Sequence, residues 1–190
     1  MGFCLGDVSG KGTSAALLMA KAISLFRCLC KLGDNMSQIV EMMNTELHET
    51  AVRGMFVTFV GGWFHPETME LHLINMGHIP PVLIRDKTIT RIKPCGPPLG
   101  VLPQAAPVLQ DLSLAGSRLY LYTDGFTEGR LDTGTQASKA QTLGFKGFLS
   151  WLVRSGPLPV KEQLECIKDL SQRKLVPQDD LTLMILSGEK

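Results

Sequence analysis

Met55-Phe56-Val57-Thr58-Phe59-Val60 leads through a turn at His65-Pro66-Glu67-Thr68 into a returning run from Met69 to Asn75. β-branched and aromatic residues bounded by turn formers read as a β-hairpin. The segment upstream has a different period. Residues 14–32 read as a helix in which Ala16, Leu17, Ala20, Ile23 and Leu25 build an apolar face, Thr13 or Ser14 caps the start, and Gly33 ends it. A second helix follows from Met36 to about Thr50, opened by Asn35 with Gln38 three residues on, with Ile39, Met42, Met43 and Leu47 at helical spacing.

Downstream, Val82 to Arg85 and Thr88 to Ile92 flank Asp86-Lys87 as another short hairpin, and the Pro- and Gly-rich residues 93–103 form a loop. Strands are predicted over Pro107 to Leu114, Arg118 to Thr123 and Leu181 to Leu186, and helices over Phe145 to Arg154 and Val160 to Lys174, with Leu164, Ile167 and Leu170 on one face of the latter. Polar residues 131–142 read as a mobile loop. Helices at both ends with consecutive hairpins between them give an α+β class, antiparallel sheets covered by helices, rather than a βαβ array.

Composition narrows the function. At 190 residues and 44% hydrophobic content the chain suffices for one domain with a substantial core. Nineteen basic against eighteen acidic residues give a net charge of +1 without charge blocks, so neither nucleic acid nor an anionic membrane is indicated as a partner. Lys21 interrupts the apolar stretch Ala15 to Ala20, far short of a span of roughly 20 residues. The cysteines Cys4, Cys28, Cys30, Cys95 and Cys166 form no Cys-x-x-Cys pair and read as reduced cytosolic thiols filling the core. His48, His65, His72 and His78 lack metal-ligand spacing, and His78 in Asn75 to Pro81 reads as part of a sharp turn.

Three acidic turns remain. Asp7 lies at the mouth of an N-terminal strand, where Gly10 and Gly12 allow a tight passage into the first helix; Asp124 follows the apolar run Leu119 to Tyr122; Asp179-Asp180 precedes Leu181 to Ile185. Gly6 to Thr13 is not a P-loop, because Gly6 and Gly10 enclose three residues rather than four and Lys11 is followed by Gly12 instead of a hydroxyl residue. Each Asp alone suits a turn or a cap. Carboxylates at strand ends from separate parts of a sheet also suit one hard cation such as Mg²⁺ or Mn²⁺.

Gly6-Asp7-Val8-Ser9-Gly10-Lys11-Gly12 with Ala15-Ala16-Leu17, Phe56-Val57-Thr58, Asn75 to Pro81, Pro98-Leu99-Gly100, Leu121 to Glu128 and Asp179-Asp180-Leu181-Thr182 occur in a family-specific order. The chain resembles metal-dependent serine/threonine protein phosphatases of type 2C, in the bacterial branch typified by the sporulation stage II E phosphatase and the phosphatases that regulate sigma factors. The resemblance runs nearly end to end. It implies a four-layer α-β-β-α arrangement, an antiparallel β-sandwich flanked by helices, with two Mn²⁺ or Mg²⁺ ions at one end. It implies that Asp7 bridges the ions, the Val8 carbonyl binds the first, and Asp124 and Asp179 bind the second, with Asp180 a supporting or capping residue. Water would be the nucleophile, and Lys11 would orient phosphate or a substrate loop. The implied substrate is phosphoserine or phosphothreonine in a regulatory protein, an anti-sigma-factor antagonist, in the cytoplasm.

The chain departs from that pattern in three places. Ser9 stands where eukaryotic relatives carry a His, and Gly116-Ser117 where many relatives have Gly-Asp in a surface turn. The family's upstream acidic strand has no counterpart in the six residues before Asp7, so residues 1–190 are expected to be one phosphatase-like domain, N-terminally truncated and the C-terminal module of a longer signalling protein with an upstream sensory or receiver domain. An unpaired strand edge would then favour a homodimer. The alternative function is a catalytically weakened homologue that binds a phosphoprotein or relays a signal.

Overall fold

The computed structural model describes residues 1–33, 35–50, 54–131, 141–176 and 178–189. Residues 132–140, the centre of the expected loop, lie outside them. The chain divides into two compact units, Met1–Leu119 with Leu186–Lys190, and Tyr120–Ile185.

In the first unit, β1 (Gly2–Val8), β2 (Val57–His65), β3 (Glu70–Met76) and β6 (Gln110–Ser113) form an antiparallel sheet in the order β1-β2-β3-β6. The expected hairpin is β2–β3, with Val60 opposite Asn75 and His65 opposite Glu70. The β1–β2 register sets Gly2 opposite Trp63 and Asp7 opposite Thr58. β6 is shorter than the expected strand: its pairing with β3 begins only at Gln110, which meets Leu73, and residues 105–109 make no ladder.

Helices α1 (Thr13–Leu32) and α2 (Met36–Thr50) pack on one face of this sheet. Leu18, Ala22 and Phe26 of α1 and Met36, Ile39, Val40, Met43 and Leu47 of α2 meet Val57, Phe59, Ile74, Met76 and Leu99 in one cluster. The Phe26 and Phe59 rings lie 5.6 Å apart. The buried face of α1 is therefore not the expected one. Leu17 is 67% exposed and Ile23 45%, whereas Leu18, Ala22 and Phe26 are buried. The first half of α1 is apolar on all sides, Ala15 to Ala20, so periodicity alone cannot select a stripe; contact with the sheet does.

Both ends of the α1–α2 turn follow local chemistry. Gly33 closes α1 with its N–H on the Leu29 carbonyl at 3.2 Å, and the Asn35 side chain accepts the Gln38 N–H at 3.2 Å. At the start of α1 the expected Thr13 or Ser14 cap is replaced by Gly12, whose φ of 84° suits glycine and which makes no side-chain cap bond.

The Pro-rich residues 93–103 form a loop tied down by hydrogen bonds. Val57 and Leu99 exchange backbone bonds at 3.0 and 2.8 Å, the Asn44 side chain binds Gly100 N–H and the Leu102 carbonyl at 3.0 Å each, and Gly100 O lies 2.9 Å from His48 Nδ1.

A second sheet has the order β10-β7-β4-β5, from β4 (Val82–Arg85), β5 (Thr88–Arg91), β7 (Ser117–Tyr122) and β10 (Leu183–Ser187), with β4 and β5 the expected hairpin. The division between units runs through β7 and β10. Every residue of β7 is buried, Ser117 included, so Ser117 is the start of a buried strand and not part of a surface turn. The turn is left to Gly116, at φ 62°.

In the second unit, α3 (Gly125–Glu128), β8 (Arg130–Leu131), α4 (Gly144–Ser155), α5 (Val160–Lys174) and β9 (Leu175–Val176) follow β7. Phe148 of α4 packs against Tyr122 and Phe126 with ring centroids 4.7 and 4.8 Å away. The buried stripe of α5 is Gln163, Ile167 and Ser171 rather than Leu164, Ile167 and Leu170. A polar residue holds the centre because its bonds are satisfied: Gln163 Nε2 donates to the Leu152 carbonyl at 3.2 Å and reaches Tyr120 Oη at 3.1 Å. α3 and the two-residue strands β8 and β9 are too short for any periodic signal.

The thiols do not all serve as core filler, since Cys28 is exposed. Burial pushes the Cys4 thiol up to about 11, with Cys30 adding to the shift. Only the thiolate attacks alkylating agents, so iodoacetamide at pH 8 should label Cys28 of the native chain within minutes and leave Cys4 unmodified. Peptide mass mapping reads both, and equal labelling would contradict the burial of Cys4.

Candidate metal centre

The acidic turns are built differently in the two units. In the second, Asp124 lies two residues beyond the buried strand β7 and occupies the N-cap position of α3, where its carbonyl accepts the Thr127 and Glu128 N–H groups at 2.7 and 2.8 Å. Its carboxylate makes no cap bond to α3. A capping role for the Asp124 side chain is thereby removed.

Thr123 ties this turn to the one carrying Asp179 and Asp180. Its hydroxyl donates to the Asp180 carbonyl at 2.8 Å and accepts the Thr182 N–H at 3.0 Å, while its own N–H reaches the Thr182 carbonyl at 3.1 Å. Gly125 permits the approach. A Cβ there would stand 2.5 Å from the Asp180 carbonyl oxygen and 3.1 Å from that of Asp179. Asp179 Oδ1 accepts the Asp180 N–H at 2.9 Å, which fixes the turn locally. The structure thus brings together the turns that carry Asp124 and Asp179.

Asp7 and Val8 belong to the first unit. Asp7 is not beyond the mouth of its strand but within it, paired with Thr58, because β1 continues to Val8. Its Oδ1 accepts the Val8 N–H at 2.9 Å. After it, Ser9 clips the strand end to β2: Ser9 N–H donates to the Phe56 carbonyl at 3.0 Å and Ser9 Oγ accepts the Phe56 N–H at 2.8 Å. Gly10 and Gly12, at φ 89° and 84°, then turn the chain into α1, as expected, and Lys11 between them is exposed.

Among the described residues, no three His, Cys, Asp or Glu side chains stand grouped as a metal cage. The acidic side chains of these turns, Asp124, Asp179 and Asp180, are carboxylates, an oxygen donor type that suits a hard divalent cation rather than a soft one. Sequence reasoning missed the two threonines whose hydroxyls bond to the backbone of the acidic segments, Thr123 in the second unit and Thr58 in the first. For Thr123 a signal was present, since it adjoins Asp124 in Tyr122-Thr123-Asp124; Thr58 lies 51 positions from Asp7, and only the β1–β2 register brings it there.

Comparison with known proteins shows the family to which the chain belongs. The family model for Stage II sporulation protein E (SpoIIE) matches residues 1–188. Protein IcfG of Synechocystis sp. is 28% identical over 158 residues, covering 68% of this chain and 25% of that protein. Phosphoserine phosphatase RsbU of Bacillus subtilis is 26% identical over 133 residues, 68% of this chain and 40% of the relative. The chain therefore spans less than half the length of either curated relative. The SiaA-PP2C domain of Pseudomonas aeruginosa superposes with a TM-score of 0.79 at 17% identity, over 98% of this chain and 74% of that one, a likeness of fold. The chain belongs to the Stage II sporulation protein E (SpoIIE) family.

Proposed function

We propose that this SpoIIE-family chain catalyses Mn²⁺- or Mg²⁺-dependent hydrolysis of phosphoserine or phosphothreonine in a cytoplasmic regulatory protein, an anti-sigma-factor antagonist, as the phosphatase module of a longer signalling protein. The observation that carries this is the lock between the Asp124 and Asp179 turns through Thr123 and Gly125. Such a lock holds two acids in place that have no capping task at α3. Asp7, the Val8 carbonyl, Asp124 and Asp179 are the proposed ligands of two ions. When bound, the ions supply Lewis-acid polarisation of a phosphoryl oxygen. The chain's own contribution is to fix the ligands before substrate arrives: Thr123 and Gly125 set the Asp124 and Asp179 turns, and the β1–β2 register sets Asp7. The phosphoprotein substrate and an upstream sensory or receiver domain are the proposed partners, in keeping with the name of RsbU as a phosphoserine phosphatase. Among the described residues no helix is long and apolar enough to cross a membrane.

The test is phosphate release from a phosphoserine peptide. With Mn²⁺ present the chain should turn the peptide over, and chelation by EDTA should abolish the activity, with recovery on adding Mn²⁺ back. Peptide binding without turnover under all three conditions would replace the enzyme with a phosphoprotein-binding module.

A further inference from the structure

β1 is the outermost strand in the order β1-β2-β3-β6, so Asp7 sits near the end of a strand with one ladder partner. Strand ends of this kind open readily. The Asp7 N–H finds its acceptor in a side chain, Thr58 Oγ1, at 2.9 Å. That hydroxyl also lies 3.2 Å from the Asp7 carbonyl and 2.9 Å from His78 Nδ1. A threonine hydroxyl has one proton to give and two lone pairs to accept with. One assignment satisfies all three contacts: Thr58 accepts from the Asp7 N–H and from a protonated His78 Nδ1, and donates to the Asp7 carbonyl.

His78 is itself fixed. It is 2% exposed, and its N–H donates to Asn75 Oδ1 at 2.9 Å. Asn75 is fully buried, its Nδ2 reaches the Ile92 carbonyl at 3.4 Å, and its carbonyl accepts the Cys95 N–H at 2.8 Å. Gly77 keeps this turn tight, with φ at 67° and no room for a Cβ, which would meet the Pro98 ring at 2.5 Å. The polar chain therefore runs from a buried anchor at Asn75 through His78 and Thr58 to the backbone of Asp7.

We propose that Thr58 and His78 are positioning residues that hold Asp7 in place for cation binding: the buried His78 ring orients the Thr58 hydroxyl, and that hydroxyl clamps both backbone polar groups of Asp7. This rests on the reading of Asp7 as a ligand. A shape role alone would require volume at residue 58; the relay requires the hydroxyl.

Calorimetric Mn²⁺ titration of the full chain separates these cases. Thr58→Val keeps the volume and removes the hydroxyl, and it should weaken Mn²⁺ binding by ~10-fold or more, the range for loss of a group that orients a metal ligand. Thr58→Ser restores the hydroxyl and should bind within ~3-fold of wild type, below that range. Circular dichroism confirms that each variant is folded; should Thr58→Val not fold, Thr58→Cys carries the same comparison. Asp7→Asn is titrated alongside. If Asp7→Asn weakens binding and Thr58→Val does not, the relay is overturned while Asp7 remains a ligand. If Thr58→Ser binds as poorly as Thr58→Val, the hydroxyl is irrelevant and the relay is again overturned. If Asp7→Asn binds as tightly as wild type, the reading of Asp7 fails and takes the relay with it.

Discussion

Asp124→Asn is expected to lower Mn²⁺-dependent turnover of a phosphoserine peptide by ~100-fold or more while leaving the thermal midpoint nearly unchanged. The size follows from the proposed role: loss of a group one step removed from a metal costs 10–100-fold, so loss of a ligand charge should reach or pass the top of that range. The neutral effect on stability follows from the geometry. Asp124 is half-buried, its contacts to α3 are made by its backbone carbonyl, and its carboxylate makes no cap bond. Asn preserves shape and every one of those backbone bonds. Asp180→Asn is the matched comparison, because its carbonyl and not its exposed carboxylate engages Thr123; it should retain most activity. Equal losses in both variants would mean that negative charge around the turns matters only in bulk, and Asp124 would lose its assignment.

The parts of this architecture that the sequence made legible are those set by local chemistry. Hairpin β2–β3 follows from its turn residues, the Gly10 and Gly12 turn from backbone freedom, and the end of α1 from Gly33. The acids were found because each abuts an apolar strand whose end must emerge from a core. What escaped depends on contacts distant in sequence. The face of α1 was misjudged because Leu17 and Leu18 are equally apolar and only the sheet distinguishes them. On α5, a buried Gln163 displaced leucines from the stripe because Leu152 on the neighbouring helix and Tyr120, 43 positions away, offer it partners. Thr58 and Thr123 read as ordinary strand residues until the registers put one beside Asp7 and the other beside Asp180. His78 read as a turn residue; in the structure it is buried, its N–H bonds to the Asn75 side chain, and its ring reaches Thr58 across 20 positions of sequence.

Phe148→Ala is expected to cost ~3–5 kcal/mol, the usual toll for deleting a buried aromatic ring and leaving its cavity. Phe148 is fully buried, and it stacks on Phe126 while Tyr122 leans on it from β7. Those two partners are the residues two before and two after Asp124. A void at Phe148 therefore loosens both arms of the acidic turn, and the thermal midpoint should fall by roughly 6–20 °C on the scaling for a chain of this length. Phe148→Leu fills much of the space and should lose distinctly less. The coupling to function can be read separately from the loss of fold. At a temperature where Phe148→Ala is still folded by circular dichroism, its Mn²⁺ affinity should be weaker than that of wild type, because the turn carrying Asp124 is held less firmly. Saturating Mn²⁺ should raise its midpoint, since an ion that binds only the folded state stabilises it in proportion to the logarithm of its concentration over the dissociation constant. A folded Phe148→Ala chain with unaltered Mn²⁺ affinity would show that the Thr123 bonds alone hold the turn, and that the aromatic cluster supports the second unit without shaping its acids.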